Sequence, residues 1–181
     1  DAGQVMRHTP EELVTAFCAQ RGLGSGAVGL LTSANLEHAQ FVLLEDRGIA
    51  VLAVVTAGTS NALNSAENTG SPYLGDGASL DPPLPPGTIN IVAVTSKNLA
   101  AEALVGSVIV ATEAKSAALF DLKVRSVVTG SQATGTGTDS VVVASGFDGA
   151  IRYAGGHTRY GQVLREAEFL RRLDGGRGRL A

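Results

Sequence analysis

One stretch, Leu99 to Asp139, constrains this chain more than any other part of it. It reads as a long apolar segment interrupted by Thr112-Glu113-Ala114-Lys115-Ser116, followed by a loop, Thr129-Gly130-Ser131-Gln132-Ala133-Thr134-Gly135-Thr136-Gly137-Thr138-Asp139. From Ala100 to Ala111 only Glu102, Gly106 and Ser107 break the apolar run. That leaves no wide solvated face and predicts a helix buried nearly all round. The β-branched run Val108-Ile109-Val110 would also suit a strand, but length and alanine-rich surroundings favour the helix. An unsatisfied polar side chain in such a helix costs roughly 1–3 kcal/mol. Glu113 and Lys115 therefore each need a partner. Being two residues apart, they point to different faces rather than at each other.

Composition sets outer limits on what surrounds that helix. A chain of 181 residues buries about 70% of its unfolded surface, so a single domain over residues 1–181 is expected. Aromatics make up only 4%, so its core must be built from Ala, Val and Leu. A net charge of −3, with no basic-aromatic stripe, argues against a nucleic-acid partner. The single cysteine, Cys18, excludes a disulfide framework and a thiolate metal cage, and its helical position suggests a buried structural thiol. The longest wholly apolar run, Ile49 to Val55, is too short to span a membrane, so no membrane partner is expected. No signal peptide is legible, and the chain opens on Asp1 rather than Met; a cytoplasmic protein whose start lies upstream is expected.

Along the chain, Thr9-Pro10-Glu11-Glu12 is a helix start, with a Thr cap, Pro at the first position and Glu three residues after the cap. Leu13, Val14 and Phe17 form its apolar stripe, and Gly22 is placed to end it. Strands are predicted at 28–33 and 41–44, with a turn at Glu45-Asp46-Arg47-Gly48. Ile49 to Thr56 is the strongest strand, apolar enough to be buried on both faces. It runs into Ala57-Gly58-Thr59-Ser60-Asn61-Ala62, either an ordinary turn or a ligand site at a strand end. Residues 64–86 hold five of the six prolines and no periodicity, so a long surface loop is expected there. Thr88 to Thr95 is the next buried strand, with Asn90 as an unexpected polar member. Strands at 140–144 and 151–153 follow the Thr/Gly loop. A last helix is capped by Thr158, with Val163, Leu164, Ala167 and Leu170 facing inward and Glu168 paired with Arg172 at the surface. The tail from Asp174 reads as frayed. The fold class that results is α/β, with α+β as the alternative: a mixed sheet packed against a long buried central helix and two flanking helices.

The Thr134–Asp139 loop offers backbone N–H groups, glycines that allow close approach, and hydroxyls. No Gly-Lys-Ser/Thr follows, so it is not a Walker A loop, and the strand after it argues against a dinucleotide fingerprint. A polar ligand held by backbone and hydroxyls is the sharper reading, and a plain turn the simpler one. His157 precedes a helix N-terminus and is either a base or donor, or only a residue of the capping region. With three His scattered at 8, 38 and 157, neither a metal nor another cofactor is expected.

Five blocks occur in order: Thr56-Ala57-Gly58-Thr59-Ser60-Asn61-Ala62, Pro86-Gly87-Thr88-Ile89-Asn90-Ile91, Ala111-Thr112-Glu113-Ala114-Lys115-Ser116-Ala117-Ala118-Leu119, Ala133-Thr134-Gly135-Thr136-Gly137-Thr138-Asp139, and Tyr153-Ala154-Gly155-Gly156-His157-Thr158 with Gly161. Together, from about Val28 to Leu164, they resemble the adenosylcobinamide amidohydrolases of corrinoid salvage. The resemblance implies a corrinoid small-molecule substrate and hydrolysis of the amide joining aminopropanol to the corrin side chain. Adenosylcobyric acid and 1-aminopropan-2-ol would be the products. The resemblance also leads one to expect a Ser-Ser-Ala and Gly-Gly pattern before the first block, which has no counterpart here; a truncated form or a relative of altered specificity is expected.

Residue roles follow from chemistry. Amide hydrolysis needs an activated nucleophile, a stabilised oxyanion and a proton for the leaving amine. Water activated by Glu113 or Asp139 is the first choice, and a hydroxyl of Ser60, Thr59 or a loop Thr the second. Lys115 would hold the oxyanion or protonate the amine, with His157 as a further acid or base. Thr59, Ser60, Asn61, Asn90, Thr134, Thr136 and Thr138 are the substrate-binding candidates. The plainer alternative makes Glu113 and Lys115 buried ion contacts that hold helix to sheet. At the level of the whole chain, the alternative is a corrinoid- or nucleotide-binding protein without turnover. The five blocks are expected to converge on one cleft, with Glu113 facing it from below.

Overall fold

A computed structural model describes residues 9–24, 26–68 and 86–168. The chain divides into two compact units, Asp1–Thr32 and Ser33–Ala181.

In the first unit, helix α1 (Pro10–Gln20) starts at Thr9, whose hydroxyl accepts from Glu12 N at 3.2 Å while Glu12 Oε2 accepts from Thr9 N at 2.9 Å. The capping box legible in the sequence is thus formed. Past the helix, Gly22 takes the left-handed conformation, φ +66°, that terminates it. No residue of α1 is buried; Cys18 is half-buried rather than the buried thiol expected. Residues 28–33 form no strand, and Val28 and Leu31 stay exposed. A short apolar run does not by itself distinguish a strand from an extended loop.

The second unit is built on a four-stranded mixed sheet in the order β1-β2-β4-β7. Strands β1 (Gln40–Asp46) and β2 (Ile49–Ala57) form a hairpin whose two-residue turn, Arg47-Gly48, has both residues at positive φ. β4 (Ile89–Thr95) pairs antiparallel with β2, and β7 (Ser140–Ala144) pairs parallel with β4. That parallel pairing needs a crossover. It contains α2 (Ala101–Asp121), flanked by short strands β5 (Lys97–Leu99) and β6 (Gly135–Thr136). β6 pairs with β3 (Ala62–Leu63), and β5 with β8 (Asp148–Ile151). The last described element is α3 (Arg159–Glu168), whose first turn is capped by Thr158 Oγ1 accepting from Gly161 N. The mixed sheet with helices is the α/β class expected. Of the two flanking helices expected, α3 packs with α2 in this unit, and α1 belongs to the other.

Two apolar clusters fill the face between sheet and helices. One joins Ile49, Val51, Ala53 and Ala93 to Ala103, Val110, Tyr160 and Leu164; the other joins Val55, Ile89 and Ile91 to Ala118 and Leu119. β2 is not buried on both faces. Its burial alternates: Ile49, Val51, Ala53 and Val55 are buried, and the residues between them, on the opposite face, are half-buried. On that face the register aligns Phe41, Val54, Val92 and Val142 in one row and Leu43, Leu52, Val94 and Ala144 in the next. Phe41 and Leu43 are 70% and 68% exposed.

α2 likewise departs from the expectation of burial all round. Ala103, Ser107, Val110, Ala111, Ala114, Lys115, Ala118 and Leu119 are buried, while Val105, Ile109 and Phe120 are exposed. By length and composition this helix is also apolar enough to cross a membrane. The strand expected at 151–153 is displaced to 148–151, and Glu168, expected at the surface, is buried. Leu170, Arg172, the tail from Asp174 and most of the loop expected at 64–86 lie outside the described residues.

Candidate active site

Lys115 lies on the buried face of α2, and its Nζ meets Asp139 Oδ2 at 2.5 Å. The two side chains are 10% and 12% exposed. Removing either partner from a pair this far out of water leaves an uncompensated charge, which is why such pairs resist single substitution. Asp139 stands at the mouth of β7 and collects three further donors. Thr136 N reaches Oδ2 at 3.0 Å, Ile89 N reaches Oδ1 at 3.0 Å, and the Thr136 hydroxyl donates to Oδ1. An ionised carboxylate offers about four lone-pair sites, and all four are taken.

The local sequence explains why this geometry forms. A Cβ on Gly135 would lie 2.8 Å from Lys115 Nζ and closer still to Asp139 Oδ2, so any other residue there would push the ends of both partners aside. Ser116, the residue after the lysine, places its hydroxyl 3.0 Å from Thr134 O and ties the helix to the loop. The other end of the loop is held to the start of β4. Thr138 Oγ1 donates to Gly87 O at 2.9 Å, and Thr88 Oγ1 donates to Thr138 O at 2.7 Å. Asn61 joins there, with Nδ2 donating to the same Gly87 O at 2.8 Å. Thr134 Oγ1 accepts from Ser65 N at 2.9 Å. Asn61 Oδ1 and Thr56 Oγ1 are buried without a hydrogen-bond partner among the described residues.

Four of the five sequence blocks therefore meet through hydrogen bonds and the ion pair. Asn61, Thr134, Thr136, Thr138, Lys115 and Asp139 are brought together, and Asn90 is buried next to Ile89 and Ile91 on β4. Thr59 and Ser60 form the turn before β3, where Ala62 N donates to Thr59 O; Ser60 is exposed. Glu113 does not face this network. It stands about 200° around α2 from Lys115 and is exposed. The fifth block packs elsewhere: Ala154 lies against Gly106, roughly 13 Å along the helix axis from Lys115, and His157 is exposed. Ser116 and Thr88 were not singled out from sequence, although each falls inside one of the blocks, whereas Gly135 is one of the loop glycines read as allowing close approach. Their signal was positional: Ser116 follows Lys115, and Thr88 stands two residues before Asn90.

The α/β fold thus brings a buried lysine–carboxylate pair, hydroxyl donors and strand-end backbone groups to one place. Residues 2–168 match the model of the adenosylcobinamide amidohydrolase family, and the chain belongs to that family, whose members are hydrolases acting on an amide bond. It is 32% identical over 169 residues to the adenosylcobinamide amidohydrolase of Methanosarcina mazei, covering 88% of this chain and 70% of that protein. It is 44% identical over 82 residues to an uncharacterized protein of Methanocaldococcus jannaschii, covering 45% of this chain and about a third (32%) of that protein. No solved structure matches it.

Proposed function

We propose that this chain hydrolyses the amide between aminopropanol and the corrin side chain of adenosylcobinamide, releasing adenosylcobyric acid and 1-aminopropan-2-ol. The observation that carries this reading is the Lys115–Asp139 pair, set among loop and strand-end donors in a chain of this family. The lysine ammonium has three donors, of which Asp139 takes one. The others can meet the substrate carbonyl and stabilise the oxyanion as it forms. Asp139 fixes the ammonium and handles the proton that passes to the leaving amine. Asn61, Asn90, the hydroxyls of Thr59, Ser60, Thr134 and Thr138, and the segment around Thr136 line the place where the corrinoid side chain is held. Glu113 and His157, both exposed, would act only on the outer part of a large substrate. The charge of Lys115 is paired inside the fold, which supports a role for α2 in the core rather than in a membrane, and we place the protein in the cytoplasm.

Incubation with adenosylcobinamide followed by mass spectrometry of the products tests the reading. Release of 1-aminopropan-2-ol with appearance of adenosylcobyric acid is expected. Tight binding with no change of substrate mass would instead make the chain a corrinoid-binding protein without turnover.

A further inference from the structure

We infer that the Thr136 hydroxyl is the nucleophile and that hydrolysis passes through an ester between Thr136 and the substrate acyl group. The inference rests on the amide-hydrolysis reading above and assigns its attacking atom.

The argument is one of available lone pairs and protons. Water activation by Asp139 requires an open acceptor site on its carboxylate. None is open: Lys115 Nζ, Ile89 N, Thr136 N and Thr136 Oγ1 occupy all four. Two of these donors are backbone N–H groups, and the third is the ammonium needed for the oxyanion. The one proton on Asp139 that belongs to an oxygen nucleophile is the Thr136 proton. Nucleophile, base and orienting group thus stand in hydrogen-bond contact in the order Thr136, Asp139, Lys115.

The other hydroxyls of the region are engaged differently. Thr138 donates to Gly87 O, Thr88 to Thr138 O, and Ser116 to backbone carbonyls, none of which can take a proton. Thr134 pairs with Ser65. A second carboxylate, Glu67, does receive hydroxyl protons, from Ser126, Thr129 and Ser131. Among the described residues no ammonium adjoins those three bonds, so a hydroxyl attacking there would have nothing beside it to hold an oxyanion. Glu67 is a staple for the 126–131 loop. Thr136 alone among these combines a carboxylate acceptor with an adjoining ammonium.

The step balances as follows. Thr136 Oγ1 bonds to the amide carbon, its proton passes to Asp139 Oδ1, and the carbonyl π pair moves to oxygen beside Lys115 Nζ. On collapse the C–N bond breaks, and the amine takes the proton from Asp139. Water then attacks the ester carbon and gives a proton to Asp139. Collapse expels Thr136 Oγ1, which recovers that proton and leaves the free acid.

Rapid mixing with adenosylcobinamide, quenching and intact-protein mass spectrometry tests this, with hydroxylamine present in a parallel series. The wild-type chain is expected to carry a transient adduct of the acyl mass, mapped to Thr136, and hydroxylamine to divert product to the hydroxamate. Thr136→Val keeps the shape and should lose at least 10³-fold in turnover with no adduct. Thr136→Ser keeps the oxygen and should retain turnover within about tenfold, with the adduct on serine; it guards against a folding defect in the valine variant. Amine release by the wild type together with Thr136→Val turnover within tenfold of it would overturn the inference alone. So would a Thr136→Ser variant that folds, binds corrinoid and is as dead as valine. A wild type that binds the corrinoid but releases no amine would overturn the hydrolysis reading itself, and this assignment with it.

Discussion

Lys115 and Asp139 stand 24 residues apart in sequence and 2.5 Å apart in space. Asp139→Asn leaves the ammonium buried without its counter-charge, so stability should fall by about 3 kcal/mol while turnover falls by about 10²-fold or more. A double-mutant cycle with Lys115→Met separates the two effects. Urea melts should show that the second substitution costs about 1–3 kcal/mol less once the first is present; additivity within about 0.5 kcal/mol would mean the pair contributes nothing as a pair. Gly135→Ala addresses the same pair from the side. Its backbone is not in the left-handed region, so any effect is steric: the added methyl displaces Nζ and Oδ2, and turnover should fall at least tenfold in steady-state assays for about 1–3 kcal/mol of stability. Unchanged turnover would show that the pair tolerates displacement. At this scale the sequence was legible where it broke a local rule: a lysine in an apolar helix demanded a partner, and it has one. Glu113 broke the same rule in print but not in space, because the face it occupies is open, and nothing in a single sequence says which face of an apolar helix the sheet will take.

The elements tell a similar story through α3. Val163, Leu164 and Ala167 face inward as their spacing indicated. Glu168 was read as the first member of an i, i+4 surface pair, yet it is 1% exposed, and among the described residues neither carboxylate oxygen has a hydrogen-bond partner. The helix phase explains it: Tyr160, Leu164 and Glu168 recur every four residues on one face, and that face meets the sheet. Burial pushes the Glu168 carboxyl from its ordinary 4.5 up to about 8. The folded chain therefore keeps this proton over a range where the unfolded chain has lost it. Its contribution is whole below pH 4.5, declines by about 1.4 kcal/mol per unit as pH rises toward 8, and then levels off. Glu168→Gln removes that slope, so its melting temperature should exceed that of the wild type by a margin that widens from pH 5 to pH 8.5. Parallel curves in calorimetry would show that Glu168 is not carrying a buried proton. Strands were misread for a related reason. β2 is as apolar on its half-buried side as on its packed one, so the sequence announced two fully buried faces where there is one; and residues 28–33 carry a strand's composition but form no strand.

For the whole molecule, the parallel pairing of β4 with β7 governs when the site comes into being. The hairpin β1–β2 closes through a two-residue turn and α2 through bonds four residues apart, but Ile89 N reaches Asp139 Oδ1 across 50 residues of chain. Loop-closure entropy over that span must be met before β7 returns any contact energy. β7 is thus expected to be late in the order of events, outside the folding nucleus, and the hairpin within it. Val51→Ala should slow refolding, whereas Val143→Ala should chiefly accelerate unfolding and leave the refolding rate within about twofold. Stopped-flow urea chevrons measure both; the opposite partition would put the crossover in the nucleus. If β7 does dock last, every conformation short of the native one has Lys115 without Asp139. Catalytic turnover then counts only fully folded molecules, and during thermal or chemical stress it should fail before the hairpin and helices lose their circular-dichroism signal, so that an activity assay would report local detachment of one edge strand that bulk spectroscopy misses.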